Sequence, residues 1–171
     1  MDNLKEKQTQ LESLYNEYFK KIARYAYARI GDKIEAEDIA GEVFLRALDS
    51  LKTYQERGLP MQAWLFKIAH NLVVDCLTKK SKNKIVPLET YDLPEKSDPV
   101  LSAETNLEII RVKKAMQDLT EDQREVVYLR FFGGLSSKEV AGLLKKNDGA
   151  IREMQSAALE KLRNILNIDR S

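Results

Sequence analysis

The 171 residues hold one cysteine and one histidine, Cys76 and His70. A single cysteine excludes an internal disulfide and fits a reducing, cytoplasmic setting. Together the two side chains leave too few ligands for a structural zinc site, so no metal is expected. They fall on one predicted helix about 240° apart around its axis and cannot form a nucleophile and base pair. No glycine-rich phosphate loop, HExxH or DxDxDG pattern occurs, so neither an enzyme nor a bound cofactor is expected. No apolar run approaches the ~20 residues that span a bilayer. The start, Met1 to Gln10, is polar and unlike a secretory signal, which predicts a soluble chain with no direct membrane insertion. A dominant charge sign is also missing: 28 Lys and Arg face 27 Asp and Glu, a formal net charge of +1. That balance excludes coating nucleic acid by bulk charge and leaves room for local basic patches.

Glycine is absent between Gly58 and Gly133, and Pro87, Pro94 and Pro99 fall inside that gap. Proline without glycine predicts an extended, semi-stiff tether. The chain therefore divides into a lobe over 1–80, a linker over 81–98 and a second lobe over 99–171, with the lobes free to move. At 43% hydrophobic residues, both lobes can build cores.

The periodicity is helical throughout. In the first lobe, Leu11, Leu14, Tyr15, Tyr18, Phe19, Ile22 and Ala26 recur at steps of three and four before a stop at Gly31. Asp32 and Glu35 have capping-box spacing and open a helix carrying Ile39, Val43, Phe44, Ala47, Leu48 and Leu51. A third helix begins near Pro60 and is apolar nearly all round, as the central helix of a lobe must be. In the second lobe, Asp98 and Pro99 open a helix through Leu107 to about Leu119. Thr120 with Gln123, then Ser136 with Glu139, form two further capping boxes around the Gly133-Gly134 stop. The short capped helix, the turn Lys145 to Asp148 and a longer amphipathic helix make a helix-turn-helix pattern. No stretch alternates with period two. The fold class is all-α: two small helical lobes joined by a Pro-bearing linker, the second with a helix-turn-helix.

Three features carry candidate function. The loop Tyr54 to Met61 leads into Trp64 and a wet strip with Lys67, His70 and Asn71, a combination that suits unstacked bases; the bland reading is a core tryptophan beside plain surface. The last helix exposes Arg152, Glu153, Ser156, Glu160 and Arg163, and arginine can read guanine with two hydrogen bonds; here the alternative is a solvated helix face. The acidic cluster Glu35, Glu37, Asp38 and Glu42 is better explained by the helix dipole than by a metal, and can serve as a protein-docking face.

Two independent motifs then appear in order across the tether. EAEDIAGEVFLRAL (Glu35 to Leu48) and AWLFKIAHNLVVDCLTKK (Ala63 to Lys80) resemble the core-binding and promoter-melting helices of region 2 in extracytoplasmic-function (ECF) sigma factors. LTEDQREVVYLRFFGGLSSKEVAGLL (Leu119 to Leu144) resembles region 4 of the same group. The resemblance runs from about Leu14 to Ile168. It implies a sigma factor that directs RNA polymerase to promoters and assists their melting. Glu35, Asp38 and Glu42 would dock on the polymerase core. Tyr54, Arg57, Trp64, Lys67, His70, Asn71, Lys79 and Lys80 would engage the −10 element of promoter DNA. Ser136, Lys138, Arg152, Glu153, Ser156, Lys161 and Arg163 would engage the −35 element. An anti-sigma factor is an implied partner, clamping mobile lobes.

The chain departs from the family pattern in places. Lys145 and Lys146 replace a usual Gly and apolar residue. Met154, Ala157 and Leu159 stand where Arg is common, and His70 replaces a usual Arg. The competing readings are a stand-alone helix-turn-helix regulator that binds duplex operator DNA, and a helical adaptor.

Overall fold

A computed structural model describes residues 2–56, 58–83 and 103–166, and every regular element among them is helical. The linker prolines, the expected helix start at Asp98 and Pro99, and Arg57 lie outside the described residues. Helix α1 (Asp2–Ile30) starts well before the periodic stripe that identifies it in the sequence, and stops where Gly31 takes φ 84° and returns its N–H to Tyr27. Asp32 then caps α2 (Lys33–Asp49), its carboxylate accepting from the Glu35 N–H at 3.1 Å. Alanines 36, 40 and 47 are buried on α2 together with Val43 and Phe44, so the α1–α2 pair packs closely. Helix α3 (Met61–Asn83) lies against both, burying Met61, Ala63, Leu65, Phe66, Ala69 and Val73.

The second half comprises α4 (Ala103–Met116), α5 (Glu121–Val127), a π turn (Tyr128–Phe132), α6 (Ser137–Leu144) and α7 (Asp148–Leu166). Two of the three capping boxes read from the sequence are formed, at Thr120 with Gln123 and at Ser136 with Glu139; at Asp32 only the carboxylate cap forms, and the Glu35 side chain pairs with Lys80 instead. Arg124 closes the preceding turn by donating to the carbonyls of Met116, Gln117 and Leu119 at 3.0 to 3.2 Å. The π turn departs from the uninterrupted helix expected up to Gly133: the Gly133 N–H reaches back five residues to Tyr128. Its widened ring presses the Gly133 backbone onto α3, where a Cβ on Gly133 would sit 2.9 Å from Phe66 Cε1. Tyr15, Leu48 and Leu107, which helical periodicity assigns to apolar faces, are exposed.

The lobes, expected to be free of one another, are packed together here. A continuous apolar cluster runs from Ile22, Tyr25 and Phe66 into Val126, Leu129, Leu135, Val140 and Ile151, and a smaller satellite joins Met116, Leu119, Val127 and Ala158. At the seam the Glu125 carboxylate of α5 is buried. Tyr25 of α1 donates its hydroxyl to Oε1 at 2.6 Å, His70 Nδ1 of α3 lies 2.9 Å from the same oxygen, and Arg29 of α1 pairs with Oε2. Arg29 also donates to the Tyr25 hydroxyl at 3.2 Å and lies over the Tyr128 ring. Burial pushes the Glu125 carboxyl up, but the His70 hydrogen bond, the Arg29 charge and the Tyr25 hydroxyl together outweigh it and hold the group below its ordinary value. The same burial and the neighbouring carboxylate push the Tyr25 hydroxyl well above its usual range.

Two outcomes follow. Removing one member of a buried charge pair costs about 3–5 kcal/mol, so Glu125→Gln lowers the urea midpoint sharply at pH 7. The folded carboxyl titrates below the unfolded value of about 4.3, so its contribution is complete above that value and is lost as pH falls through the folded one. The gap in urea midpoint between wild type and Glu125→Gln therefore closes at acid pH; a gap that persists unchanged there contradicts a charged Glu125. The second outcome concerns Lys145, which ends α6 in the left-handed region at φ 58° and ψ 46°. A side chain costs roughly 1 kcal/mol there, so Lys145→Gly raises stability by about that much in the same urea titration.

Candidate nucleic-acid interface

Helix α3 has two working faces set by helical spacing. Gln62, Phe66 and His70 recur at steps of four and face the second half of the chain, where Gln62 Nε2 lies 3.4 Å from Glu139 of α6. Trp64, Lys67 and Asn71 form the other stripe, with Lys67 and Asn71 exposed and Trp64 half-buried. The loop before α3 folds Tyr54 onto Trp64 with ring centroids 4.4 Å apart and an interplanar angle of 32°. Lys7 of α1 fixes that loop by donating to the Tyr54 carbonyl at 2.7 Å, while the Tyr54 hydroxyl reaches the Leu59 carbonyl at 3.4 Å. The result is an aromatic pair at the surface beside a cation and an amide, a set of groups that can stack on a base and hold its backbone.

Of the residues expected at this site, Tyr54, Trp64, Lys67 and Asn71 are brought together. His70 points instead into the seam at Glu125, because a buried carboxylate requires donors and His70 is the one that α3 supplies. Lys79 is exposed near the far end of α3. Lys80 pairs with Glu35 at 2.6 Å, and Cys76 Sγ lies 3.8 Å from the same Glu35 oxygen. Burial and the Glu35 charge push the Cys76 thiol above its ordinary value, which favours its protonated form.

That pairing turns Glu35 toward α3 and leaves Asp38 exposed and Glu42 half-exposed on the outer side of α2, the latter bonded to Arg46 at 3.1 Å. Apolar groups accompany them: Ile34 and Leu45 are strongly exposed, with Leu48 and, across from Phe44, Tyr15. Sequence reasoning missed this apolar component of the acidic face. A period-3.6 pattern shows that a helix has an apolar side, and α2 has apolar residues on more than the buried one.

On α7, Arg152, Ser156 and Arg163 share one exposed stripe, with Glu153 and Glu160 beside it. Lys161 is exposed about half a turn away from Arg152. Arg152 is held by Asp148 at 3.1 Å, four residues back. Ser136 serves as the N-cap of α6, accepting from the Glu139 N–H, and Lys138 follows it exposed. Asn147 caps α7 by accepting from the Ala150 N–H at 2.7 Å, and Arg130 braces the motif by donating to Gln155 and to the Leu135 carbonyl. These contacts fix α6 and α7 as a helix-turn-helix whose second helix offers its N-terminal stripe outward.

Among the described residues no group of three or more His, Cys, Asp or Glu side chains is arranged to hold a metal ion. Nor is any described helix long and apolar enough to cross a membrane.

The Sigma-70 region 2 family matches residues 14–83, and the Sigma-70, region 4 family matches residues 115–164. The ECF RNA polymerase sigma factor BldN of Streptomyces coelicolor is 37% identical over 158 residues, covering 90% of this chain and 59% of that protein. SigD of Mycobacterium tuberculosis, also an ECF sigma factor, is 32% identical over 151 residues, covering 84% of this chain and 70% of that protein. Among solved structures, the sigma factor RpoE crystallised with the anti-sigma factor NepR from Bartonella quintana gives a TM-score of 0.72 at 22% identity, covering 94% of this chain and 99% of that one. CnrH in complex with the cytosolic domain of CnrY gives 0.68 at 23%, covering 95% and 90%. At these identities the two structures establish the shared fold. With region 2 and region 4 matched in order, and SigD related along most of its own length, this chain belongs to the ECF group of RNA polymerase sigma factors.

Proposed function

We propose that the chain is a promoter-specificity subunit that acts in the cytoplasm and has no catalytic group of its own. It binds the polymerase core through the outward face of α2, where Asp38 and Glu42 are flanked by Ile34, Leu45 and Leu48. It captures unstacked −10 bases with the Tyr54 and Trp64 pair, and positions the backbone with Lys67, Asn71 and Lys79. It reads the −35 element with the N-terminal stripe of α7, with Ser136 and Lys138 at the entry to α6. The observation that carries this reading is the half-buried Tyr54 and Trp64 pair beside the exposed Lys67 and Asn71, in a chain whose two halves match region 2 and region 4. Glu35 and Lys80 act through one another, as a brace that holds α2 on α3. An anti-sigma factor is a fitting partner, since the structurally similar sigma factor RpoE was crystallised with the anti-sigma factor NepR.

A stand-alone operator-binding regulator is the weaker reading. The DNA-facing stripe of α7 mixes Arg152 and Arg163 with Glu153 and Glu160, and Arg152 is already paired with Asp148. Few free cations mean few released counterions and weak autonomous binding.

Run-off transcription with core polymerase on genomic DNA tests the proposal. The full chain starts transcription at a defined promoter class, and Trp64→Ala lowers the yield at least about fivefold, since stacking is worth roughly 1–3 kcal/mol per base. Arg152→Ala lowers it chiefly at promoters with an intact −35 element. Unchanged start sites on adding the protein, or an unaffected Trp64→Ala, contradicts it.

A further inference from the structure

The seam between the halves covers surfaces that the proposed function needs. In a helix-turn-helix the first helix crosses the DNA backbone while the second enters the groove. Here α6, the first of the two, lies against α3: Glu139 meets Gln62, and a Cβ on Gly142 would sit 2.9 Å from Leu59 Cδ1. Leu59 belongs to the same loop that presents Tyr54 to Trp64. The contact therefore holds together the backbone-crossing helix of one DNA site and the base-capturing loop of the other.

Distance makes the arrangement incompatible with a promoter. Positions −10 and −35 are separated by ~25 base pairs, about 85 Å of duplex at ~3.4 Å per pair. A compact chain of this length has a radius of gyration of about 16 Å, or a diameter of roughly 40 Å. Lobes in van der Waals contact cannot engage both elements, and must separate to do so.

The closed state also has a specific fastener. The apolar seam is ordinary packing, but Glu125 is a charged side chain 4% exposed whose partners all lie across the seam: Tyr25 and Arg29 on α1 and His70 on α3. None of these partners comes from the second half, so separation would leave the carboxylate without any of the three. We propose that Glu125 is an autoinhibitory latch, holding the free chain closed through Tyr25, Arg29 and His70 until core polymerase and promoter draw the two halves apart. This inference rests on the sigma-factor reading for its consequence, and not for the closed state itself.

Small-angle X-ray scattering on the full chain tests the latch without polymerase. The wild type gives a compact profile with a radius of gyration near 16 Å. Glu125→Gln and, separately, Arg29→Met raise it by several ångströms with helical circular dichroism retained. An extended wild type, or two folded variants as compact as the wild type, overturns the latch. Should both variants lose helicity, a Leu59→Cys and Gly142→Cys pair decides: oxidised, it ties the seam shut, and reducing agent releases it. With core polymerase the oxidised pair initiates at least tenfold less than the reduced pair, and equal initiation overturns the inference. If the reduced pair and the wild type are both silent with core polymerase, the sigma-factor reading fails, while the scattering of wild type against the reduced and oxidised pair still decides whether the free chain is closed.

Discussion

A carboxylate removed from water dictates much of this architecture. Burial of Glu125 is tolerable only where its two oxygens find donors, and those donors come from positions 25, 29 and 70. Tyr25 and Arg29 lie four residues apart on α1, one turn of one face, and His70 must approach from α3 at the same height. The requirement therefore fixes the register of α1 against α3 and the placement of α5 against both. An apolar seam alone would tolerate sliding; a three-donor carboxylate site has one solution.

The same requirement divides α3 between two tasks. Its Gln62, Phe66 and His70 face is occupied by the second half of the chain, and its Trp64, Lys67 and Asn71 face is left to solvent. Such a helix needs apolar residues on nearly every side, which is why its amphipathic character is faint. The π turn has a part in the arrangement too, since it carries the Gly133 backbone onto Phe66, where no side chain would fit.

Local chemistry was readable in the sequence and pairing across distance was not. Gly31, the Asp32 cap and the boxes at Thr120 and Ser136 each involve neighbours within four residues, and each formed where the residue types required it. The proximity of Tyr54, Trp64, Lys67 and Asn71 was also legible, because they lie on one loop and the helix it enters. The Glu35 to Lys80 pair joins residues of separate helices, and nothing in periodicity announces it. Glu125 left one faint signal, an acidic residue four positions before Leu129 in an otherwise apolar stripe. The contact of His70 with Glu125 is equally illegible, because a helical wheel of α3 alone does not include the half of the chain packed against it. Lys145 shows the converse: a position where glycine is usual adopts the left-handed turn regardless, held by the Lys146 N–H bonded to Ala141 and by Lys146 paired with Asp122.

A near-neutral net charge fits the proposed specificity subunit, which would borrow its electrostatic grip from a larger assembly, and the proposed latch would cover part of its proposed DNA surface until it joins one. The most direct measurement is a pulsed electron-electron distance between spin labels on α1 and α7, at Arg24→Cys and Asn164→Cys in a Cys76→Ser background. The account predicts one narrow, short distance in the free chain, replaced by a longer distribution on adding core polymerase and promoter DNA. The same distribution in both conditions would contradict it.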